Sequence, residues 1–395
     1  MKNSLAQHYT RFRVSERLLL TGHSHQAWPD CAEAGLLEAF ADAAEYVDGK
    51  WEKAFAATRA VAQGYASLLE DTNGFYAIDE STHNLVTRLF SALDFQTRPR
   101  IVSTDGEFHT VRRLLQRLEE DNMFDIVRES SHNVHTLAER MCAHINDKTS
   151  IVIISAVMFQ SGLIVPYLES LAQACEKHGC ILLVDAYHAI NVAPFSVPLL
   201  HLETAYITGG GYKYCQLGEG CAFLRIPPNC SLRPRTTGWF AELFDTLAGA
   251  HVGLGNNVAY PPNSGRFAGA TYDPTPHYRA RCVLDFFKQQ NLTPALLRTI
   301  SQRQIQILCD MFDACDFDPT CIKRNTHVSL CDIGGFLALQ TPHANNFRLQ
   351  LLERGVYTDC RGDILRLGPA PYMADSQLTS AMQLLEEVCT TAASH

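Results

Sequence analysis

The sequence lacks any long hydrophobic run. Its apolar stretches fall well short of the roughly 18 residues that a membrane helix requires. The leading segment, Met1 to Glu16, has no apolar signal core. Together these absences predict a chain without membrane partners that stays in the cytoplasm. A basic excess is missing too, since Lys and Arg less Asp and Glu give 33 − 42 = −9. Nucleic-acid binding needs a basic face to neutralise phosphates, so that function class is not expected. No Cys-x-x-Cys occurs among the 14 cysteines. The even spacing of Cys309, Cys315 and Cys321 matches no metal-ligand set, so no metal is expected. The thiols read as reduced, buried and structural. Repeats and low-complexity tracts are absent as well.

What is present is a chain of 395 residues, 46% apolar and 19% charged, enough for a sizeable core and, at this length, for two lobes. Residues 74–78, 100–103, 151–154, 181–184, 205–207 and 221–224 read as strands. Residues 82–93, 110–120 and 167–177 between them read as helices. Continuous apolar strands separated by helices predict a mostly parallel sheet covered on both faces. The Pro-, Gly- and Asn-rich stretch 253–276 reads as loop. Beyond it come helices at 278–289 and 294–314, strands at 335–339 and 364–367, and a final helix from Asp375. That helix carries Leu378, Met382, Leu385 and Val388 on one stripe. The fold class is α/β, with a large lobe over 56–284 and a smaller α+β lobe from 1–55 and 285–395.

The strongest chemical signal is an acid and an amine at neighbouring strand ends. Asp185 closes Ile-Leu-Leu-Val-Asp and leads into Ala186, Tyr187 and His188, while Lys213 follows Ala-Tyr-Ile-Thr-Gly-Gly-Gly-Tyr. Ligands of open parallel sheets sit beyond the carboxyl ends of the strands, which brings both residues to one crevice. A carboxylate that keeps a pyridine nitrogen protonated, and a lysine that holds an aldehyde, are the pair that pyridoxal 5'-phosphate (PLP) chemistry requires. Ser81 and Thr82 stand at a strand-to-helix junction, where free N–H groups and hydroxyls suit a phosphate.

Asp185-Ala-Tyr-His188 and Tyr212-Lys213-Tyr214 resemble motifs of the fold-type I PLP enzymes of the class V aminotransferase group, and within it kynureninase. The resemblance runs from about Leu19 to the final helix. It implies an aspartate aminotransferase-like fold with a seven-stranded type of sheet. It implies Asp185 on the ring nitrogen, His188 beside the ring hydroxyl, Lys213 on the aldehyde and Tyr212 on the phosphate with Ser81 and Thr82. Phe108 stands where family members place a ring over the cofactor, and Ser155 where kynureninase has a serine reaching it. Gly238-Trp239-Phe240 and the loop Arg266 to Thr271 resemble segments whose Trp239 and Thr271 equivalents reach the phosphate across a dimer interface. The implied partner is therefore a second copy of the chain, sharing its active sites. Asp363-Ile-Leu-Arg366-Leu-Gly-Pro resembles the segment that grips a substrate carboxylate, with Arg361 the fallback. Ser24 is retained from a substrate-pocket segment.

The same comparison shows departures. His23 and His25 replace pocket residues, and Glu219 adds a charge after Lys213. The expected activity is kynureninase-like hydrolytic cleavage of a Cβ–Cγ bond in a β-acyl amino acid. Lys213 would move protons and Tyr212 assist. The alternatives are a class V aminotransferase or a β-eliminating, cysteine desulfurase-like lyase and, more remotely, a non-catalytic binding protein of the same fold. A desulfurase carries its persulfide cysteine well upstream of the carboxylate arginine, whereas Cys360 lies only five residues before Arg366 in the sense of intervening chain.

Overall fold

The computed structural model describes residues 3–242 and 258–393. Strand β1 is Leu18–Leu19, followed by helices α1 (Ala32–Tyr46) and α2 (Trp51–Leu68). Then come β2 (Phe75–Asp79), α3 (Thr82–Ser91), β3 (Arg100–Thr104), α4 (His109–Glu120), β4 (Asp125–Glu129) and α5 (Leu137–Cys142). Next are β5 (Thr149–Ser155), α6 (Leu168–His178), β6 (Ile181–Asp185), β7 (Tyr206–Gly210) and β8 (Ala222–Ile226). The carboxyl-terminal part holds α7 (Thr275–Gln289), α8 (Pro294–Ala314), β9 (Lys323–Arg324), β10 (Leu337–Gln340) and α9 (Ala344–Glu353). It ends with β11 (Val356–Tyr357), β12 (Asp359–Arg361), β13 (Ile364–Leu367) and α10 (Asp375–Ala393).

The large sheet has seven strands in the order β2-β8-β7-β6-β5-β3-β4. The five strands from β7 to β4 run parallel, and β8 runs antiparallel to both its neighbours. Every residue of β5 is buried, and its central stretch Ile151 to Ile154 reads as an unbroken apolar run. Edge strand β4 was not expected. Its Asp-Ile-Val-Arg-Glu is polar at three of five positions, because an edge leaves much of the strand half-exposed.

Antiparallel β8 carries a charge into the core. Arg225 is 1% exposed and donates through Nε to Asp71 at 2.8 Å. Its Nη1 donates to the carbonyls of Glu203 at 2.7 Å and Ala205 at 2.8 Å. The guanidinium thus ties β8 to the turn before β7 with nearly all of its donors used.

A smaller antiparallel sheet, β12-β13-β10-β9, belongs to the carboxyl-terminal part. The first residues join this part through β1, which pairs in parallel with β11, and through a bridge from Thr21 to Gly368. Three expectations need correcting. The strand expected at 335–339 runs instead over Leu337–Gln340, and Gly335 lies where any side chain would collide with the Tyr214 ring. Within 253–276, Ser264–Phe267 is a 3-10 turn and α7 already begins at Thr275, with Pro276 tolerated in the first helical turn; residues 253–257 lie outside the described residues. All 14 cysteines are free, but only Cys175, Cys215, Cys221, Cys309 and Cys389 are buried, and Cys331 is exposed. Among the described residues, no helix is long and apolar enough to cross a membrane.

Candidate functional site

The carboxyl ends of β5, β6 and β7 open into one cleft, a space of roughly 870 Å³ counting its open mouth. Ser81, Thr82, Phe108, Ser155, Asp185, His188, Tyr212 and Lys213 all line it. Lys213 is delivered by the glycine run after β7. A Cβ at Gly210 would meet the Tyr187 hydroxyl at 2.0 Å, so only glycine lets the chain pass beneath that ring.

The Lys213 amine is 2.7 Å from His188 Nε2 and lies over the rings of Tyr187, at 5.0 Å, and Phe108, at 5.5 Å. Burial pushes its pKa down to about 7, and the Asp185 carboxylate only partly opposes this. Burial likewise drives His188 well below its ordinary value, with the Lys213 charge adding to the effect. The imidazole is therefore neutral. With Lys213 donating to Nε2, the ring proton sits on Nδ1, which is buried and has no partner among the described residues. Asp185 accepts from the Tyr187 backbone N–H at 2.9 Å and has no ion-pair partner among the described residues; burial raises its pKa. Thr82 Oγ1 is also buried, with no hydrogen-bond partner among the described residues. Ser81 caps α3, its hydroxyl accepting from Asn84 N at 3.3 Å, which leaves the first N–H groups of the helix free for an anion.

These orphaned groups define what the cleft fits. It offers a buried amine of low pKa, a buried carboxylate lacking its cation, an unpartnered imidazole N–H, and a helix N-terminus flanked by hydroxyls. PLP presents an aldehyde, a ring nitrogen, a ring hydroxyl and a phosphate, and each has a counterpart here.

The other site residues lie outside this cleft. Thr271 lines a neighbouring one and accepts from Trp239 Nε1 at 3.3 Å, so these two meet each other and not Lys213 of the same chain. Ser24 Oγ is 3.1 Å from His25 Nδ1. His25 stacks on Tyr212, at 4.8 Å between ring centres, and approaches Glu219 at 3.6 Å. The departures His25 and Glu219 thus converge at the cleft mouth. Arg366 is buried and already engaged, donating from Nε to Asp359 at 2.8 Å and from Nη2 to the second carboxylate oxygen. Nη1 donates to the Phe159 carbonyl. Two of its five N–H groups remain for a ligand.

Two residues escaped the sequence reading. Asp359 holds Arg366 and also contacts His23 Nε2 at 2.7 Å, and these partners keep its carboxyl well below the usual range. Burial lowers His23 to about 4. The signal was there: Arg361-Gly362-Asp363 is a hairpin turn, and it sets Asp359 opposite Arg366 in register. Glu107 is buried beneath Ser155 and carried no periodic signal at all.

Comparison with known proteins gives first a class. The aminotransferase class-V family model matches residues 80–211, the segment that carries the cleft from the α3 cap to the glycine run. The fold is that of the class V, fold-type I PLP-dependent enzymes. Particular structures follow. A cystine C–S lyase, solved as a mutant with glycine covalently linked to its PLP cofactor, superposes with a TM-score of 0.81 at 15% identity, covering 96% of this chain and 98% of that one. The cysteine desulfurase of Thermococcus onnurineus NA1 gives 0.79 at 15% identity, covering 99% of both chains. An Escherichia coli cysteine desulfurase gives 0.76 at 12%, covering 98% of both. No curated protein matches the sequence significantly. The matches do not support the kynureninase expectation. The Tyr-Lys-Tyr and Gly-Trp-Phe segments that suggested it are three residues each and lie beyond the residues the family model matches.

Proposed function

We propose that the protein is a PLP-dependent lyase that breaks the Cβ–S bond of a sulfur amino acid, with cystine the leading substrate. The observation that carries the cofactor reading is the Lys213 amine, buried, held near pH 7 and flanked by Asp185 and His188. Lys213 would hold the aldehyde, Asp185 the ring nitrogen, His188 and Ser155 the ring edge, Phe108 one ring face, and Ser81, Thr82 and Tyr212 the phosphate. Bound there, the cofactor supplies an electron sink that makes the Cα proton of an amino acid removable. Lys213 is the base at that atom, since an amine titrating near 7 is part neutral at physiological pH. Tyr212 keeps its proton through this range, because burial raises it, and so does not serve as a base. Arg366 offers its two remaining N–H groups to the substrate carboxylate.

The choice of lyase rests on the thiols and on the structural likenesses. Cys221 is the cysteine that lines the cleft among the described residues. It donates to the Pro276 carbonyl, and burial pushes it up to about 12, so it is a poor sulfur acceptor. Cys360 sits within strand β12 rather than on a loop that could reach the cleft. Neither of these two thiols is placed to take up sulfur, which favours release of the sulfur fragment over transfer to Cys221 or Cys360. For cystine the balance is cystine and water giving cysteine persulfide, pyruvate and ammonia. One of the structural relatives is described as a cystine C–S lyase whose product is cysteine persulfide.

The test is a mass-spectrometric product screen of PLP-loaded protein against cystine, cysteine and kynurenine. Pyruvate with persulfide from cystine is the expected result. Alanine released from kynurenine, or a keto acid that retains its side chain, would replace elimination by hydrolysis or transamination.

A further inference from the structure

We propose that Glu107 is a positioning residue that places a second negative charge behind Asp185 and, by accepting the Ser155 proton, makes Ser155 an acceptor toward the cleft. The inference rests on the cofactor reading above and concerns how this chain tunes that site.

Glu107 is 1% exposed and has no ion-pair partner among the described residues. It takes three hydrogen bonds. Thr104 Oγ1 donates to its Oε1 at 2.7 Å, Ser155 N to the same oxygen at 3.2 Å, and Ser155 Oγ to its Oε2 at 2.6 Å. Ser155 is the last residue of β5 and stands in register with Asp185 at the end of β6. Ser155, hydrogen-bonded to Glu107, thus ends the strand beside the one whose end carries Asp185.

A hydroxyl has one proton. While that of Ser155 points at Glu107, only its lone pairs face the cleft. If Glu107 were protonated, it would have to donate, and Ser155 could turn its own proton into the cleft. The charge of Glu107 and the direction of the Ser155 hydroxyl are therefore one variable. The groups acting on Glu107 are Thr104 from β3, Ser155 from β5 and Asp185 from β6. Burial and the Asp185 charge raise its pKa to about 7, against the three donors, so its charge is poised in the working range. A cation at the floor, such as a protonated ring nitrogen facing Asp185, favours the ionised state. By reciprocity, ionised Glu107 keeps that nitrogen protonated to higher pH.

The test uses holoprotein carrying PLP labelled with ¹⁵N in the ring, compared between wild type and Glu107→Gln. Glutamine keeps the shape and one acceptor but loses the charge. The ring ¹⁵N resonance and the pH titration of the visible band are read together. The expected result is a ring-nitrogen pKa lowered by about one unit, read as a resonance moved toward the unprotonated position, with the visible-band titration displaced from that of the wild type. Thr104→Val, which removes a donor to Glu107 without touching the cleft lining, should move the resonance in the same direction and serves if Glu107→Gln does not fold. Spectra identical to wild type in both variants, with changes confined to Tm, would leave Glu107 a purely structural residue and overturn the proposal. A wild-type protein that forms no visible band would instead overturn the cofactor reading, so the two failures are distinguishable.

Discussion

At the scale of single residues, the site is a set of charges held in place by burial. Arg366 is fixed by Asp359, and Asp359 in turn by His23. Arg366→Lys keeps a charge but cannot reproduce the two-pronged grip. A charge-assisted hydrogen bond contributes roughly 1.5–3 kcal/mol, so kcat/KM should fall by about one to two decades with every amino-acid substrate tried. Undiminished kcat/KM would move the carboxylate site to Arg361. His23 makes a second prediction. Its pKa is about 4 in the fold and about 6.5 in the open chain. The unfolded chain binds more protons between those values, so this contribution is complete above pH 6.5 and lost as pH falls toward 4. It amounts to roughly 3 kcal/mol at most. Urea unfolding at a series of pH values should show His23→Asn with a shallower acid decline than wild type; equal slopes would remove His23 from the account. Much of this site was legible beforehand. Asp185, Lys213, Ser81, Thr82, Phe108, Ser155, His188 and Tyr212 were readable because strand ends bring chemistry-bearing residues to one crevice. Glu107 was not, because Asp-Gly-Glu reads as an exposed turn and only the packing under Ser155 reveals its burial.

At the scale of elements, the legible strands were those buried on both faces. β5 and β6 announce themselves through apolar runs, whereas edge strand β4 is half polar and passes for loop. The direction of β8 was not readable either, since direction depends on connection length and not on composition. What holds β8 in its antiparallel place is specific. Arg225 and Asp71 are both nearly fully buried. Arg225→Met would strand the Asp71 carboxylate in the core and should cost about 3–5 kcal/mol, read as a lower urea midpoint. Replacing both, with Arg225→Met and Asp71→Leu, should recover a large part of the loss, because no buried charge is then left alone. A double variant no more stable than the single one would show that the carbonyl contacts of Arg225, and not the ion pair, carry the effect.

At the scale of the whole molecule, the position of Thr271 and Trp239 is the informative feature. They meet each other beside a second cleft, apart from Lys213 of their own chain. We propose that they complete the phosphate site of a partner copy, in a symmetric dimer with shared sites. Complementation tests this. Lys213→Ala and Thr271→Ala proteins, unfolded together and refolded, should yield mixed dimers with one intact site and activity above the sum of the two parents. Residues acting within one chain would give no such recovery.

The central claim is that Lys213 holds PLP. It is tested most directly by reducing the PLP-loaded protein with borohydride and locating the label by peptide mass mapping. The account predicts a visible band that reduction abolishes and one stable pyridoxyl adduct on the peptide containing Lys213. An adduct on another lysine, or none after PLP addition, would contradict it.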